Sequence, residues 1–161
     1  MARIANIKWN DVGNGPGVTV SVFMQGCHFH CKGCFNESTW DFDKGTLADI
    51  NTINEVIEGL HKNKVQRNLS ILGGEPLAPE NRDFVCELIK NVRAVYPNIQ
   101  IWVWTGYEYN DLVKENNASV TLILNMINSI ITGKFILEQR DLTLRYMGSR
   151  NQKLLTKGVD F

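Results

Sequence analysis

The stretch Gln25–Asn36, QGCHFHCKGCFN, puts three of the chain's four cysteines, Cys27, Cys31 and Cys34, within eight positions. Their spacing is C-x3-C-x2-C, with His28 and His30 between them. The segment before it, GVTVSVFMQG (17–26), alternates Val18, Val20, Val22 and Met24 with partly apolar partners, which predicts a buried strand ending at Gly26. A cysteine loop at the end of a buried strand is the first sign of a parallel α/β sheet. In such sheets the C-terminal strand ends carry the ligands.

Two more segments repeat the arrangement. NLSILGG (68–74) and IQIWVWTG (99–106) read as strands that end in glycine, followed by Glu75-Pro76 and by Tyr107. Helices are predicted between them. One opens at Thr46 with Asp49 three residues on, and carries Leu47, Ile50, Ile53, Val56, Ile57 and Leu60 at helical spacing. A second begins at Pro79, where a missing N–H costs little, and ends at Tyr96-Pro97-Asn98. Further on, a short helix is expected from Glu108 to about Asn116, a helix over 119–126 and a strand over 128–132. A terminal hairpin over 142–156 is expected to turn at Gly148–Ser149. Strand alternating with helix argues for parallel pairing with crossover helices, so the three loops should converge on one face.

At 161 residues the chain suits a single domain spanning 1–161, with a core of ordinary size. Lys plus Arg equals Asp plus Glu at 17 each, so the basic footprint of a nucleic-acid binder is missing. The N-terminal MARIANIKWNDVGNG lacks the apolar core of a signal peptide. The most apolar region, SVTLILNMINSII, is broken by Asn125 and Asn128, so no membrane span is expected. A cytoplasmic location follows, where clustered thiols read as metal ligands or catalysts.

Three cysteines are an awkward number. Structural zinc takes four protein ligands, and His28 or His30 would have to complete the set. Iron–sulfur cubes take four thiolates, so a trio would leave one iron open to another ligand. Cys86, on a predicted helix, reads as a small buried hydrophobe. A Gly-Gly-Glu turn lets backbone approach a ligand closely, although a plain turn before Pro76 would also use paired glycines.

In these residues the chain resembles the radical S-adenosylmethionine superfamily, and more narrowly the activating proteins of anaerobic ribonucleotide reductase, including their short bacteriophage members. The resemblance is carried in order by NGPG (14–17), GCHFHCKGCFN (26–36), STW (38–40), GGEPL (73–77), WTGY (104–107), GKF (133–135) and GS-R-NQ (148–152). It implies a shortened, partial (βα) barrel with a parallel sheet, whose open side would admit a partner's glycine loop. It also implies a [4Fe–4S] cluster on Cys27, Cys31 and Cys34, with S-adenosylmethionine chelating the fourth iron. Gly73, Gly74 and Glu75 would then meet the methionine amino group. Gly33, Cys34, Phe35 and Thr105 would border the cosubstrate. No catalytic side chain beyond the cluster ligands is expected.

The implied reaction is reductive cleavage of S-adenosylmethionine to a 5′-deoxyadenosyl radical. That radical abstracts a glycine α-hydrogen from the large subunit of the reductase. The implied electron donor is flavodoxin-like, and the setting is the host cytoplasm if the chain is phage-encoded. Departures from the family pattern stand at Asn14, Thr19, Asn128, Thr132 and Met147, where charges are expected on pocket or partner-facing positions. Two rivals remain: activation of another glycyl-radical enzyme, and a zinc-stabilised binding module without chemistry.

Overall fold

A computed structural model describes residues 1–161. The predicted first strand forms as β2 (Thr19–Gln25), buried at every position. It is preceded by a strand that sequence reasoning did not anticipate, β1 (Arg3–Asp11), which pairs with it antiparallel. The two-residue β3 (Thr46–Leu47) pairs with the far edge of β1. Then follow α1 (Ile50–Leu60), β4 (Asn68–Gly73), α2 (Arg82–Val95), β5 (Ile101–Trp104), α3 (Tyr109–Glu115), α4 (Ala118–Met126), β6 (Ser129–Thr132) and β7 (Lys153–Thr156). All seven strands join one open sheet in the order β3-β1-β2-β4-β5-β6-β7. The central four, β2, β4, β5 and β6, are parallel, and the flanking pairings are antiparallel. The expected α/β class holds. The sheet does not close, so its likeness to a barrel goes no further than a run of parallel strands.

Strand alternation sorts the sheet into two faces. Val20, Val22, Met24, Leu69, Ile71, Ile101, Val103 and Ile130 join the main core with Val56 and Leu60 of α1, Leu88 and Val92 of α2, and Val120 and Ile123 of α4. The alternate residues Ser21, Ser70, Trp102 and Ser129 lie side by side by register on the other face. No helix covers that face. The loop at Asn14–Gly15 and the loop at Tyr146 do so instead. Ser70 Oγ donates to the Asn14 carbonyl at 2.6 Å, and Trp104 Nε1 donates to the Tyr146 carbonyl at 2.8 Å.

Three sequence expectations need correction. Thr46 does not open a helix, because Thr46 and Leu47 are taken up as a strand by the free edge of β1. Asp49 is the N-cap of α1: Oδ1 accepts from Thr52 N at 3.1 Å, while Asp49 N donates to Thr52 Oγ1 at 3.3 Å. This is the reciprocal box that starts a helix cleanly. Pro79 lies in a turn before α2, which starts at Arg82 because Asn81 is tied to the strand ends. Its Nδ2 donates to the carbonyls of Gln25 at 3.1 Å and Glu75 at 2.9 Å. The hairpin over 142–156 does not form. Only β7 pairs, with β6, and one isolated bridge joins Arg140 to Ser149. Side chains capture the backbone groups that a first hairpin strand would have used. Asp141 Oδ1 accepts from Thr143 N at 2.9 Å, and Gln152 Oε1 accepts from Gly148 N at 2.8 Å.

Candidate functional site

The three strand-end loops do meet. They open on one cavity of about 480 Å³, lined by Cys27, Cys31, Cys34, Phe35, Gly73, Gly74, Glu75, Thr105 and Gly106. Gly33 is the exception among the expected residues. It is absent from the lining, has φ +75°, and lies so close to Leu137 that an added Cβ would fall 2.8 Å from Cδ1.

Backbone ladders hold the cysteine loop to the sheet. Gly26 N donates to the Thr39 carbonyl at 2.6 Å and Cys27 N to the Trp40 carbonyl at 3.1 Å. Gly74 N donates to Met24 O at 2.9 Å and Glu75 N to Gly26 O at 2.7 Å. The paired glycines are therefore needed by neighbouring backbone. A Cβ on Gly73 would sit 2.6 Å from Met24 N, and one on Gly74 would be 2.9 Å from the Thr39 carbonyl oxygen. The histidines brace the loop from outside. His28 Nε2 bonds Glu80 at 2.8 Å, and the His30 ring stacks on Trp40 at 4.5 Å between centroids.

All four cysteines are free thiols. No three His, Cys, Asp or Glu side chains converge to hold one metal ion. A zinc site completed by His28 or His30 therefore lacks its geometry. Cys27, Cys31 and Cys34 all line the one cavity, and thiolates that each bind a different iron of a cube need not converge on a single ion. The peptide groups suit anionic sulfur. Asn36 N donates to Cys34 Sγ at 3.3 Å, and the backbone at Phe29 and His30 near Cys27, and at Phe135 near Cys31, favours the thiolate. Burial works against this and pushes the Cys27 and Cys31 thiols above the ordinary range. A metal must then displace their protons on binding. Trp40, on the cavity wall, has a buried Nε1–H with no partner. Cys86 sits in the main core, away from the cavity lining.

Glu75 is buried, and its two oxygens tie β4 to β5. Oε1 accepts from Leu77 N at 2.9 Å and Thr105 Oγ1 at 2.7 Å, and Oε2 accepts from Gly106 N at 2.7 Å. Burial raises this carboxyl to about 7. Thr105, expected at the cosubstrate pocket, spends its hydroxyl on Glu75. The departures also find places. Asn14 and Met147 line the cavity, whereas Asn128 is structural and Thr19 and Thr132 are buried. Asn128 Oδ1 accepts from Ile101 N at 2.8 Å and Arg93 Nη2 at 2.6 Å.

Sequence reasoning did not assign Lys8, Asn36, Trp40, Lys134, Phe135 or Gln152 to the cavity wall. Trp40, Lys134, Phe135 and Gln152 lay inside the quoted STW, GKF and GS-R-NQ motifs, which was their signal. Lys8 had none, because its strand was not anticipated.

A family profile described as "4Fe-4S single cluster domain" matches residues 13–155. The chain is similar to proteins named anaerobic ribonucleoside-triphosphate reductase-activating protein. It is 36% identical to that of Escherichia coli (strain K12) over 143 residues, 88% of this chain and 90% of the relative. Identity is 38% over 143 residues, with the same shares of each chain, to the protein of Haemophilus influenzae. With the Enterobacteria phage T4 protein it is 37% over 146 residues, 89% of this chain and 87% of the relative. With a cluster-domain match over most of its length and relatives this similar, the chain belongs to the family of anaerobic ribonucleoside-triphosphate reductase-activating proteins.

Proposed function

We propose that this chain activates an anaerobic ribonucleotide reductase by generating a glycyl radical on its large subunit. The observation that carries the reading is the meeting of Cys27, Cys31 and Cys34 with the ends of β4, β5 and β6 on one cavity. Cys27, Cys31 and Cys34 would hold a [4Fe–4S] cluster, and S-adenosylmethionine would lie beside it. When bound and reduced by a flavodoxin-like donor, the cluster supplies the one electron that splits S-adenosylmethionine into methionine and the 5′-deoxyadenosyl radical that takes the glycine hydrogen. The protein's part is to position and to exclude water. Gly73 and Gly74 bring backbone to the cavity wall, and the Glu75–Thr105–Gly106 tie fixes the strand ends that frame it. Cys34, Phe35 and Phe135 also line the cavity, with the two rings 5.1 Å apart. No helix of the chain is long and apolar enough to cross a membrane; the proposed setting is the cytoplasm, the host's if the chain is phage-encoded.

The test is anaerobic mixing of reconstituted protein, S-adenosylmethionine and reductant with the reductase large subunit, followed by electron paramagnetic resonance. A glycyl doublet on the reductase is expected, and none on pyruvate formate-lyase under the same conditions. Ala at Cys27, Cys31 or Cys34 abolishes S-adenosylmethionine cleavage, whereas Cys86→Ala retains it. Stoichiometric zinc without iron or sulfide in anaerobically purified protein would instead identify a binding module.

A further inference from the structure

The GKF and GS-R-NQ motifs have no role in the reaction as described above, yet the fold brings them together. Gly133 ends β6 at φ +101°. Its carbonyl accepts from Gln152 Nε2 at 2.9 Å, and the Lys134 carbonyl accepts from Asn151 Nδ2 at 2.7 Å. Ile136 N donates to Ser149 Oγ at 3.2 Å. Gln152 is fixed in turn, because its Oε1 accepts from Gly148 N and Ser149 N at 2.8 and 3.2 Å. Three side chains of one motif thus hold the backbone on both sides of Lys134.

The side chain so presented lines the cavity, with its ammonium 5.1 Å from the centre of the Phe29 ring. It takes part in none of the chain's four salt bridges. Lys8 is the other cation on the wall, but it pairs with Ser21 in the middle of β2, well before the cysteine loop. The one carboxylate on the wall, Glu75, already has three donors. A cluster held by three thiolates would be net anionic even with its irons counted, so a cation beside the open iron would favour a ligand carboxylate there.

The geometry points to Lys134 as the cationic contact for the carboxylate of S-adenosylmethionine, with Ser149, Asn151 and Gln152 as the residues that position it. This rests on the function proposed above. Lys134 is exposed, so its replacement leaves the core intact.

Equilibrium binding to the anaerobically reconstituted protein tests it, with S-adenosylmethionine and its decarboxylated analogue as probes and iron content matched between variants. Lys134→Met weakens S-adenosylmethionine about tenfold or more, the usual size for a charge-assisted contact, and leaves the decarboxylated analogue within about twofold. Lys134→Arg recovers part of the loss. Gln152→Leu shows the same selectivity in milder form. Equal weakening of both probes, or unchanged S-adenosylmethionine binding by Lys134→Met, overturns the assignment while leaving the proposed function standing. Failure of the unsubstituted protein to bind S-adenosylmethionine brings both down.

Discussion

Glu75 has no salt-bridge partner, yet three donors meet its two buried oxygens. The donors favour the charged form, burial opposes it, and burial prevails, lifting the group from its ordinary 4.5 to about 7. Between these values the folded chain keeps a proton that the unfolded chain has released. The carboxyl's contribution to stability is therefore full below pH 4.5 and is lost as pH rises through about 7. The loss amounts to about 3 kcal/mol. Glu75→Gln should abolish this slope between pH 5 and 8 in denaturant titrations. It should also cost about 1–3 kcal/mol, because an amide N–H would face Gly106 N–H. Thr105→Val removes one donor and leaves the carboxyl in place, so its slope should persist and extend to higher pH. A Glu75→Gln protein with the unsubstituted slope would show that the titration belongs elsewhere. The cysteine trio and Gly-Gly-Glu were legible because each is contiguous. The service of Thr105 to Glu75, thirty positions away, depends on the register of β5 against β4, which no local pattern reveals.

Elements were readable where burial imposed a period, and misread where distant side chains set the ends. The all-buried β2 and the apolar stripe of α2 declared themselves. The strand β1, flanked on its outer side only by the two-residue β3, buries only Ile4 fully and carries Asn6, Lys8 and Asn10, so its pattern is that of a polar N-terminus. The segment 142–148 failed as a hairpin strand because Trp104, Asp141 and Gln152 claim its backbone. Two expectations follow at this scale. Gly74→Ala would force β4 away from Gly26 and Thr39, and should lower stability by more than about 3 kcal/mol, seen as a large fall in thermal midpoint with the cysteine loop loosened. Asn128→Asp puts a full negative charge on the oxygen that already accepts from Arg93 and Ile101, joining α2, β5 and β6. Burial makes the Arg93 cation less favourable, so this substitution should stabilise by about 1 kcal/mol in the same assay. A loss there would mean that desolvation of the new charge outweighs the pair.

Across the whole molecule the sheet is protected unequally. Helices seal one face, with α2 packed against both α1 and α4, whereas two loops cover the other. The parallel order and the convergence of the three loops were legible from strand ends bearing glycine. The open sheet edge and its loop cover were not, because they depend on β1 and on the captured segment 141–148. Local stability follows buried apolar contact, so opening should be cheapest where loops do the covering. The 141–148 loop is closed at its base by Asp141 N to Gly148 O at 3.2 Å, and Tyr146 within it sits at φ +67°. Its hold on the sheet is the Trp104–Tyr146 hydrogen bond and the Trp102–Tyr146 edge contact at 5.0 Å. Amides of β2, β4 and β5 should therefore exchange hydrogen only on global unfolding, and those of 142–146 within the shortest labelling time. Trp104→Phe deletes the indole donor and keeps most of the ring, so it should cost about 1 kcal/mol and speed exchange at Met147 and Gly148 without changing the central strands. Uniform acceleration across the sheet would mean that the loop and the parallel core open as one unit.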